Sequence, residues 1–336
     1  MATIYEVSKL AGVSLATVSR VINNNAPVRQ ATRDKVEAAM RELGYRPNSA
    51  AQSLASQRAN SIGILVSELH GPFYGVLLSR IEDEFRRAGK HVIIAAGHSD
   101  EALERESIEF LRSRNCDALI LHVEAVSDEY LIELAADGCA FVLINRMVPQ
   151  LADRCITLNN HHGGYLATRH MLEQGHRAIA YISGPMWKHD ARERYKGHQQ
   201  ALAQFGVSEN PALFFEGDFH ETSGVEGLTA LRAGAATFTA LVCANDEMAS
   251  GAMTAAHDLG VQVPQQLSIV GFDNVNFAHY THPKLTTIDY PIGDIAQMAA
   301  RWVLRNVYQH TNVAALQAVF EPKLVQRDST CLLTAL

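Results

Sequence analysis

The chain has 336 residues, of which 47% are hydrophobic, and a net charge of −7. This length and hydrophobic fraction are sufficient for two or three domains with cores of their own. It contains no run of about 18 apolar residues and no basic start followed by an apolar run, so we expect neither a transmembrane helix nor a secretory signal. Its five cysteines are dispersed and form no CxxC pair, which favours reduced thiols in a cytoplasm over disulfides or a zinc site.

The start of the chain has the pattern of two short helices joined by a tight turn. Apolar residues fall at helical spacing from Ile4 to Ala11, Gly12 interrupts the pattern, and a second helical stripe begins at Leu15. Ser14 is placed to cap the second helix, because its hydroxyl can accept from a backbone N–H two or three positions later. The pattern predicts a helix-turn-helix that can enter the major groove of DNA, although an ordinary helical hairpin would look the same.

A third helix and a linker complete this region. Thr32 is expected to cap the segment RDKVEAAMREL, which ends at Gly44. Residues 1–60 carry a balance of +4 and the rest of the chain −11, which fits a head that contacts DNA phosphates. Residues 47–59 can form a hinge helix too small to be stable alone. We expect it to fold when two copies meet on DNA, with Leu54 wedged into the minor groove; a flexible tether is the alternative.

From Ser61 onward, apolar runs of strand length alternate with amphipathic helical stretches. Strands that are apolar on both faces and alternate with helices indicate parallel sheets, and two series of strands indicate two α/β subdomains. The predicted strands are Ile62–Val66, Val92–Ala95, Ala118–His122, Phe141–Ile144 and Cys155–Leu158, followed by Ala178–Ile182, Leu213–Glu216, Ala240–Cys243, Ser268–Phe272 and Thr286–Ile288.

Groups suited to a small polyol follow several of these strands, where open α/β sheets bind their ligands. Aromatic rings can cover the C–H faces of a sugar, and Asn, Asp and Arg can pair with its hydroxyls. The residues are Phe73, Tyr74, Asn145, Arg146, Arg192, Arg194, Phe219, Asn245, Asp246, Asp273 and Asn274. Each of them also has a structural explanation, such as helix capping by Asp246. Their joint occurrence favours a binding site.

Signals of catalysis are absent from the sequence. It has no GxxxxGK[ST], GxSxG or HExxH motif. His161 and His162 are adjacent, so their side chains would point apart on regular structure. We therefore expect no catalytic residue, no metal site and no cofactor.

Characteristic segments occur in order along nearly the whole chain. They are ATIYEVSKLAGVSLATVSRVIN, GYRPNSAAQSLA, VLINR, EQGHRAIAYISGP, ALVCANDEMASGAM and SIVGFDN. On these segments the chain resembles the LacI/GalR family of bacterial transcription repressors, and VLINRMVPQLADRCITL and LATRHMLEQGH resemble its galactose-repressor branch. The resemblance implies an all-α helix-turn-helix head (residues 1–46), a hinge (47–59) and an α/β periplasmic-binding-protein-like core. The core would comprise two parallel-sheet subdomains, residues 60–158 with 291–318 and residues 159–290 with 319–330.

The resemblance also implies roles for single residues. The DNA-binding set would be Ser14, Leu15, Ala16, Thr17, Ser19, Arg20, Asn23, Thr32, Arg33 and Leu54. Leu15 and Ala16 carry no hydrogen-bonding group and can read only thymine methyls or groove shape, whereas Arg20 can pair with guanine. The implied effector-binding set is Phe73, Asn145, Arg194, Phe219, Asn245 and Asp273, to which the strand-end pattern adds Tyr74. Many relatives have Asp at the position of Asn145, which weakens any inference of an identical sugar.

These observations predict a cytoplasmic repressor of carbohydrate-utilisation genes that binds double-stranded operator DNA. A small sugar, with a galactose-like one favoured, would bind between the core subdomains and control it allosterically. The C-terminal segment RDSTCLLTAL lacks the heptad pattern of tetrameric relatives, so we expect a homodimer. A nucleobase or a phosphorylated sugar is the alternative effector, since Arg146 and Arg194 leave room for an anion. An enzyme using Asp246 and Asp273 as paired carboxylates is the alternative of another class.

Overall fold

The computed structural model describes residues 2–23, 27–46, 58–310 and 316–333. The chain divides into two units, Met1–Ser61 with Asn115–Asp117, and Ile62–Arg114 with Ala118–Leu336. The predicted hinge helix and Leu54 lie outside the described residues, as does the side chain of Asn23. None of the helices in the described ranges combines the length and apolarity that crossing a bilayer requires.

In its described residues, the first unit contains three helices, α1 (Ile4–Ala11), α2 (Leu15–Asn23) and α3 (Gln30–Glu42). α1 begins with a capping box between Thr3 and Glu6, and it ends at Gly12, whose φ of +65° suits a residue without Cβ. The Ser14 hydroxyl accepts from the Thr17 N–H at 3.2 Å, which confirms the predicted cap of α2. The core of this unit consists of Val7, Val18, Val21, Val36 and Ala39.

The predicted start of the third helix was wrong. α3 begins at Gln30, and Thr32 lies in its first turn instead of capping it. Arg29 precedes the helix without a side-chain cap, and its carbonyl accepts from the N–H groups of Thr32 and Arg33 at 2.9 and 3.1 Å. The helix therefore starts three residues earlier than predicted, with Arg29 instead of Thr32 at the cap position. A good capping residue does not by itself determine where a helix starts.

The second unit contains two six-stranded sheets, each covered by helices. The first lobe has the strand order β11-β5-β4-β3-β1-β2 and the second lobe β12-β10-β9-β8-β6-β7. The strands are β1 Ser61–Val66, β2 His91–Ala96, β3 Ala118–Leu121, β4 Phe141–Ile144, β5 Cys155–Leu158, β6 Ile179–Ser183, β7 Phe214–Glu216, β8 Ala240–Cys243, β9 Ser268–Asp273, β10 Thr286–Asp289, β11 Val319–Phe320 and β12 Lys323–Val325. β6 to β10 pair in parallel, and β12 runs antiparallel to β10. The ten predicted strands therefore all form, in two sheets.

The helices of this unit alternate with the strands, as the sequence predicts for an α/β fold. They are α4 Pro72–Arg87, α5 Glu101–Ser113, α6 Asp128–Ala136, α7 Asn160–Glu173, α8 His189–Gln204, α9 Glu221–Ala233, α10 Asp246–Asp258 and α11 Ile292–Asn306. α11 packs on α4 and β4, so the chain has returned to the first lobe by this point.

Two short strands were not predicted, and one of them moves a boundary. β11 pairs in parallel with β5, with Val319 opposite Thr157 and Phe320 opposite Leu158. The chain therefore leaves the first lobe after Phe320, and the predicted boundary after residue 318 falls too early. Pairings of two or three residues are too short to produce an alternating sequence pattern.

Helices α7 and α8 pack closely against each other in the second lobe, and this packing fixes the position of Arg194. A Cβ at Gly164 would collide with the backbone carbonyl of Arg194, and a Cβ at Gly197 would collide with that of His161. Glycine at both positions therefore lets the two helix backbones approach. The first turn of α7 is held beside the middle of α8, which carries Arg194.

Candidate effector cleft and DNA-binding helix

A cavity lies where the carboxyl ends of strands from both lobes face each other. It encloses about 650 Å³, including solvent at its mouth. All seven predicted effector residues line it: Phe73, Tyr74, Asn145, Arg194, Phe219, Asn245 and Asp273. Nine further lining residues were not predicted from the sequence: Glu68, His70, His122, Glu124, Lys188, Asp190, Asp218, His220 and Glu247. Most of these also follow strand ends, so the same positional rule would have found them if it had been applied to every polar residue.

Arg194 is the most heavily bonded of these side chains and is only 3% exposed. Its Nε donates to Asn160 Oδ1 at 2.9 Å, and its Nη1 donates to the carbonyl of Ala244 at 2.5 Å. Its guanidinium carbon lies 3.8 Å from the ring centroid of Phe272. Nη1 also lies 3.5 Å from Asp273 Oδ1. Arg194 is thus a buried cation held by several partners, and it organises this side of the cavity.

Asp273 offers an acceptor to a ligand. Its Oδ1 is buried and has no hydrogen-bond partner in the described part of the chain, although the guanidinium of Arg194 is close. Burial raises the pKa of this carboxyl well above its usual range, and Arg194 opposes the rise. The residue has a φ of +109°, which is strained for any side chain but glycine. Buried unpaired oxygens and strained backbone are typical of binding sites.

Asn145 connects the two lobes through its amide. Its Oδ1 accepts from Asn160 Nδ2 at 3.2 Å, and its Nδ2 donates to Asp190 Oδ2 at 3.5 Å. Asp190 in turn lies 3.9 Å from Arg194. Asn145 also has a positive φ, of +59°, which asparagine tolerates better than most residues. A neutral amide at this position therefore completes a network of acceptors and donors around the cavity.

A second contact between the lobes joins Lys188 and Glu124. Lys188 Nζ lies 2.8 Å from Glu124 Oε2 and donates to Ser99 Oγ at 3.2 Å. Burial acts to raise the pKa of Glu124, but Lys188 and the neighbouring hydrogen bonds outweigh it, and the pKa is lowered. Glu124 is therefore ionised and its charge is matched by Lys188.

Two aromatic rings form the apolar surfaces of the cavity. Phe73 packs edge-on against Tyr290, with ring centroids 5.1 Å apart. Phe219 has a φ of +75°, unusual for a bulky residue, and Asn245 Nδ2 donates to its carbonyl at 2.7 Å. The Asn245 Oδ1 accepts from a backbone N–H of α10 and caps that helix. Asn245 therefore positions Phe219 as well as lining the cavity.

Asp246 and Arg146 lie away from this arrangement. Asp246 is fully buried, where its two oxygens accept from Thr287 Oγ1 at 2.5 Å and from the N–H of Val275 at 2.9 Å. It does not line the cavity, so it cannot pair with Asp273 around a substrate. Arg146 donates to Asp128 at 2.6 Å and is also outside the lining set.

In the first unit, the residues predicted to contact DNA on α2 and just before it are exposed or half-buried. Ser14, Ala16 and Arg20 are exposed, and Leu15, Thr17 and Ser19 are half-buried. On α3, Thr32 and Arg33 are also half-buried. The Ser8 hydroxyl donates to the Val13 carbonyl at 2.6 Å and fixes the turn that sets α2 against α1. The DNA-contacting roles of these residues stay predictions.

Comparison with known families matches both parts of the chain. The profile described as "Bacterial regulatory proteins, lacI family" matches residues 3–48, and the profile of the "Periplasmic binding protein-like domain" matches residues 168–330. The HTH-type transcriptional regulator GalR of Escherichia coli K12 is 39% identical over 329 residues, which cover 98% of this chain and 96% of that protein.

Two solved structures extend this likeness to three dimensions. The Lac repressor dimer bound to operator and the anti-inducer ONPF superposes with a TM-score of 0.86 at 28% identity, covering 98% of this chain and 99% of that one. A LacI family regulator from Enterococcus faecium with bound ribose gives a TM-score of 0.71 at 26% identity, covering 82% of this chain and 100% of that one. The matches confirm the predicted fold, a helix-turn-helix head with a periplasmic-binding-protein-like core.

Proposed function

Because the chain belongs to the LacI family of bacterial regulatory proteins, we propose that it represses carbohydrate-utilisation genes and responds to a neutral sugar bound in the cleft. Membership of the family confirms the prediction of a DNA-binding transcriptional regulator and not an enzyme. The burial of Asp246 agrees with this, since it removes the second carboxylate of the enzyme alternative.

The composition of the cavity is the observation that supports a neutral sugar. Six carboxyl groups line it (Glu68, Glu124, Asp190, Asp218, Glu247 and Asp273), against two permanently charged cations, Lys188 and Arg194. Both cations lie beside carboxylates of the same cavity. Such a surface is rich in acceptors, which suits ligand hydroxyl groups, and Phe73 and Phe219 supply apolar faces.

The same charges disfavour the two alternative effectors. A phosphorylated sugar would bring two negative charges next to the carboxylates of the cavity, and the cations Lys188 and Arg194 already pair with those carboxylates. A nucleobase would present ring nitrogens that need donors, and among the lining residues the strong donors Lys188 and Arg194 are engaged. The bound ribose of the LacI family regulator from Enterococcus faecium, which has a similar fold, supports a sugar. The preference for a galactose-like one rests on the segments that resemble the galactose-repressor branch.

On the DNA side, we propose a homodimer that reads a roughly palindromic operator. The Lac repressor, which superposes on this chain over nearly its full length, binds its operator as a dimer. The groove-facing residues would be Leu15, Ala16 and Arg20, of which Arg20 alone can form hydrogen bonds with a base. A protein that binds chromosomal DNA would act in the cytoplasm, and the free cysteines of the described residues agree with a reducing compartment.

Sugar binding would act on operator affinity through the arrangement of the two lobes. Residues of both lobes line the cavity, so a bound sugar favours one arrangement over others. A coupling of about 1–3 kcal/mol between the sites is typical, and it is reciprocal: DNA would alter sugar affinity by the same factor.

Gel-shift titration tests the proposal. An operator is first selected from random duplexes with the purified protein, and its affinity is then measured at fixed salt with galactose, ribose, galactose 1-phosphate and adenine. We expect a neutral sugar to change the affinity and the other two compounds to have no effect. Absence of any sequence-specific complex would refute the regulator, and a response confined to the phosphorylated sugar or to adenine would refute the neutral sugar.

A further inference from the structure

Two histidines and one glutamate from both lobes converge at one edge of the cleft. His70 follows β1 in the first lobe, whereas His220 precedes α9 and Glu247 lies in the first turn of α10. Each offers a ligand atom, and these three atoms all lie within 4.8 Å of one another. His70 is exposed, His220 is half-buried and Glu247 is buried. The sequence predicted no metal site on the grounds of its missing motifs. These three residues lie far apart in the chain, so no local motif contains them.

The backbone around these residues holds them in place. A Cβ at position 71 would lie 2.7 Å from Glu247 Oε1, so Gly71, with a φ of +87°, admits the carboxylate next to His70. The N–H of His220 donates to Asp218 Oδ1 at 2.9 Å, and the strained Phe219 directly precedes it. The convergence is therefore built by constrained segments of both lobes.

Within the described part of the chain, the carboxylate of Glu247 receives no hydrogen bond and forms no ion pair. Burial and the neighbouring Glu221 raise its pKa to about 7, while His70 and His220 act in the opposite direction. A further carboxylate stands beside the cluster, with Glu68 Oε1 3.8 Å from His220 Nε2. Two imidazoles and a carboxylate are a donor set that zinc-class ions prefer.

We propose that His70, His220 and Glu247 bind one divalent transition-metal ion of the zinc class. Bonds from zinc to nitrogen and oxygen are about 2.0–2.2 Å long, so tetrahedral donors lie roughly 3.5 Å apart. Bringing the three ligand atoms from the observed spacing of up to 4.8 Å to this distance requires side-chain movements of about 1 Å. The exposed His70 and the half-buried His220 can make such movements. Three protein ligands leave at least one coordination position for water or for a hydroxyl group of a bound ligand.

The metal would tie the two lobes together, since its ligands come from both. The three ligands also line the cavity in which the sugar is proposed to bind, so the metal would hold the walls of that cavity together. Zinc should therefore strengthen sugar binding, and sugar should strengthen zinc binding by the same factor, about fivefold or more. This coupling rests on the proposed function, whereas metal binding itself does not.

Equilibrium dialysis of the full chain against Zn²⁺ without sugar tests the site. We expect one ion per chain, with the affinity lowered at least about 100-fold by His70→Gln, His220→Gln or Glu247→Gln. His257→Gln is the matched control, because His257 is an exposed histidine on the same helix as Glu247, and this variant should bind zinc like the parent. Thermal unfolding without metal identifies any variant that fails to fold.

Two results would overturn the proposal. Zinc binding that is unchanged in all three variants would place the ion elsewhere. A thiolate-to-metal charge-transfer band with Co²⁺ would assign it to a cysteine. A parallel galactose titration with and without Zn²⁺ measures the coupling, and because zinc binding is measured in the absence of sugar, failure of the sugar proposal leaves the test of the metal site intact.

Discussion

Gly184 provides a test of the cleft that leaves the rest of the fold in place. It directly follows β6, and a Cβ added there would meet three carbons of the Phe219 ring. Even the most distant of these, Cε1, would be 2.5 Å away, whereas ordinary contact begins near 3.4 Å. The ring must therefore retreat by more than about 0.9 Å, because Cζ and Cε2 would lie closer still. Gly184 does not have a positive φ, and alanine is therefore compatible with the backbone. The substitution Gly184→Ala displaces one wall of the proposed sugar site.

The cost of that displacement follows from the contacts that Phe219 would make. Well-placed aromatic contacts contribute about 0.5–1.5 kcal/mol beyond the apolar area that they bury. Losing the stacking and part of that area should cost roughly 1–2 kcal/mol of sugar affinity, which corresponds to about a 5- to 30-fold weaker Kd. Operator affinity without sugar should not change, because the substitution lies in the second unit and the DNA-binding helix in the first.

Isothermal titration calorimetry with galactose measures this effect, and the fluorescence of Trp187 offers a second readout near the cleft. Lys188, which lines the cavity, lies 5.5 Å from the Trp187 ring. Gly75→Ala is the matched control, since a Cβ there meets no heavy atom within 4 Å and Gly75 has no positive φ. A Gly184→Ala protein that binds sugar within twofold of the parent would refute the role of Phe219.

Three further predictions concern other residues. Arg20→Ala should lower specific operator affinity by about 1–3 kcal/mol and relax base preference at one position, measured by gel shift with a series of mutated operators; loss of sugar binding as well would contradict a role limited to DNA. Arg194→Ala should abolish the sugar response and also lower the free energy of unfolding by about 3–5 kcal/mol in urea titration, because it leaves Asn160 Oδ1 and the carbonyl of Ala244 without their donor in a buried environment; an unchanged unfolding midpoint would be inconsistent with the network described above. Burial lowers the pKa of His198 from 6.5 to about 3, so the unfolded chain binds this proton more strongly and stability is lost as the pH falls below 6.5. His198→Gln should remove that loss, so between pH 7 and pH 5 the wild type should lose about 2 kcal/mol relative to the variant; equal pH profiles would mean that His198 is protonated in the folded protein.

The local elements of the fold could be predicted from sequence because their signals are local. The apolar runs of β1, β3, β4 and β8 are buried on both faces and lie where the sequence places them. The cap of α2 by Ser14 also depends on neighbouring residues alone. The start of α3 and the short strand β11 were not predicted. The start of α3 depends on the backbone conformation of the preceding loop, and β11 depends on a partner strand more than 150 residues away in the chain.

In the cleft, too, some features could be predicted from local sequence and others depend on distant partners. Because parallel strands of one sheet end together, strand-end positions predict that Phe73 and Asn145 lie near one edge of the first sheet and that Phe219 and Asp273 lie near one edge of the second. That the two edges face each other across a cavity is a result of the tertiary structure. The sequence does not contain the partners that decide what these groups can do.

Only the tertiary structure shows that Arg194 is held by several buried partners. Its removal is therefore expected to lower the stability of the protein in addition to removing a contact with the ligand. It also shows that Asp246 is a buried structural carboxyl and that the trio of His70, His220 and Glu247 exists. The physical reason is that patterns of neighbouring residues encode helices, strands and their buried faces. Pairings between charges depend on which distant segments the fold brings within a few ångströms.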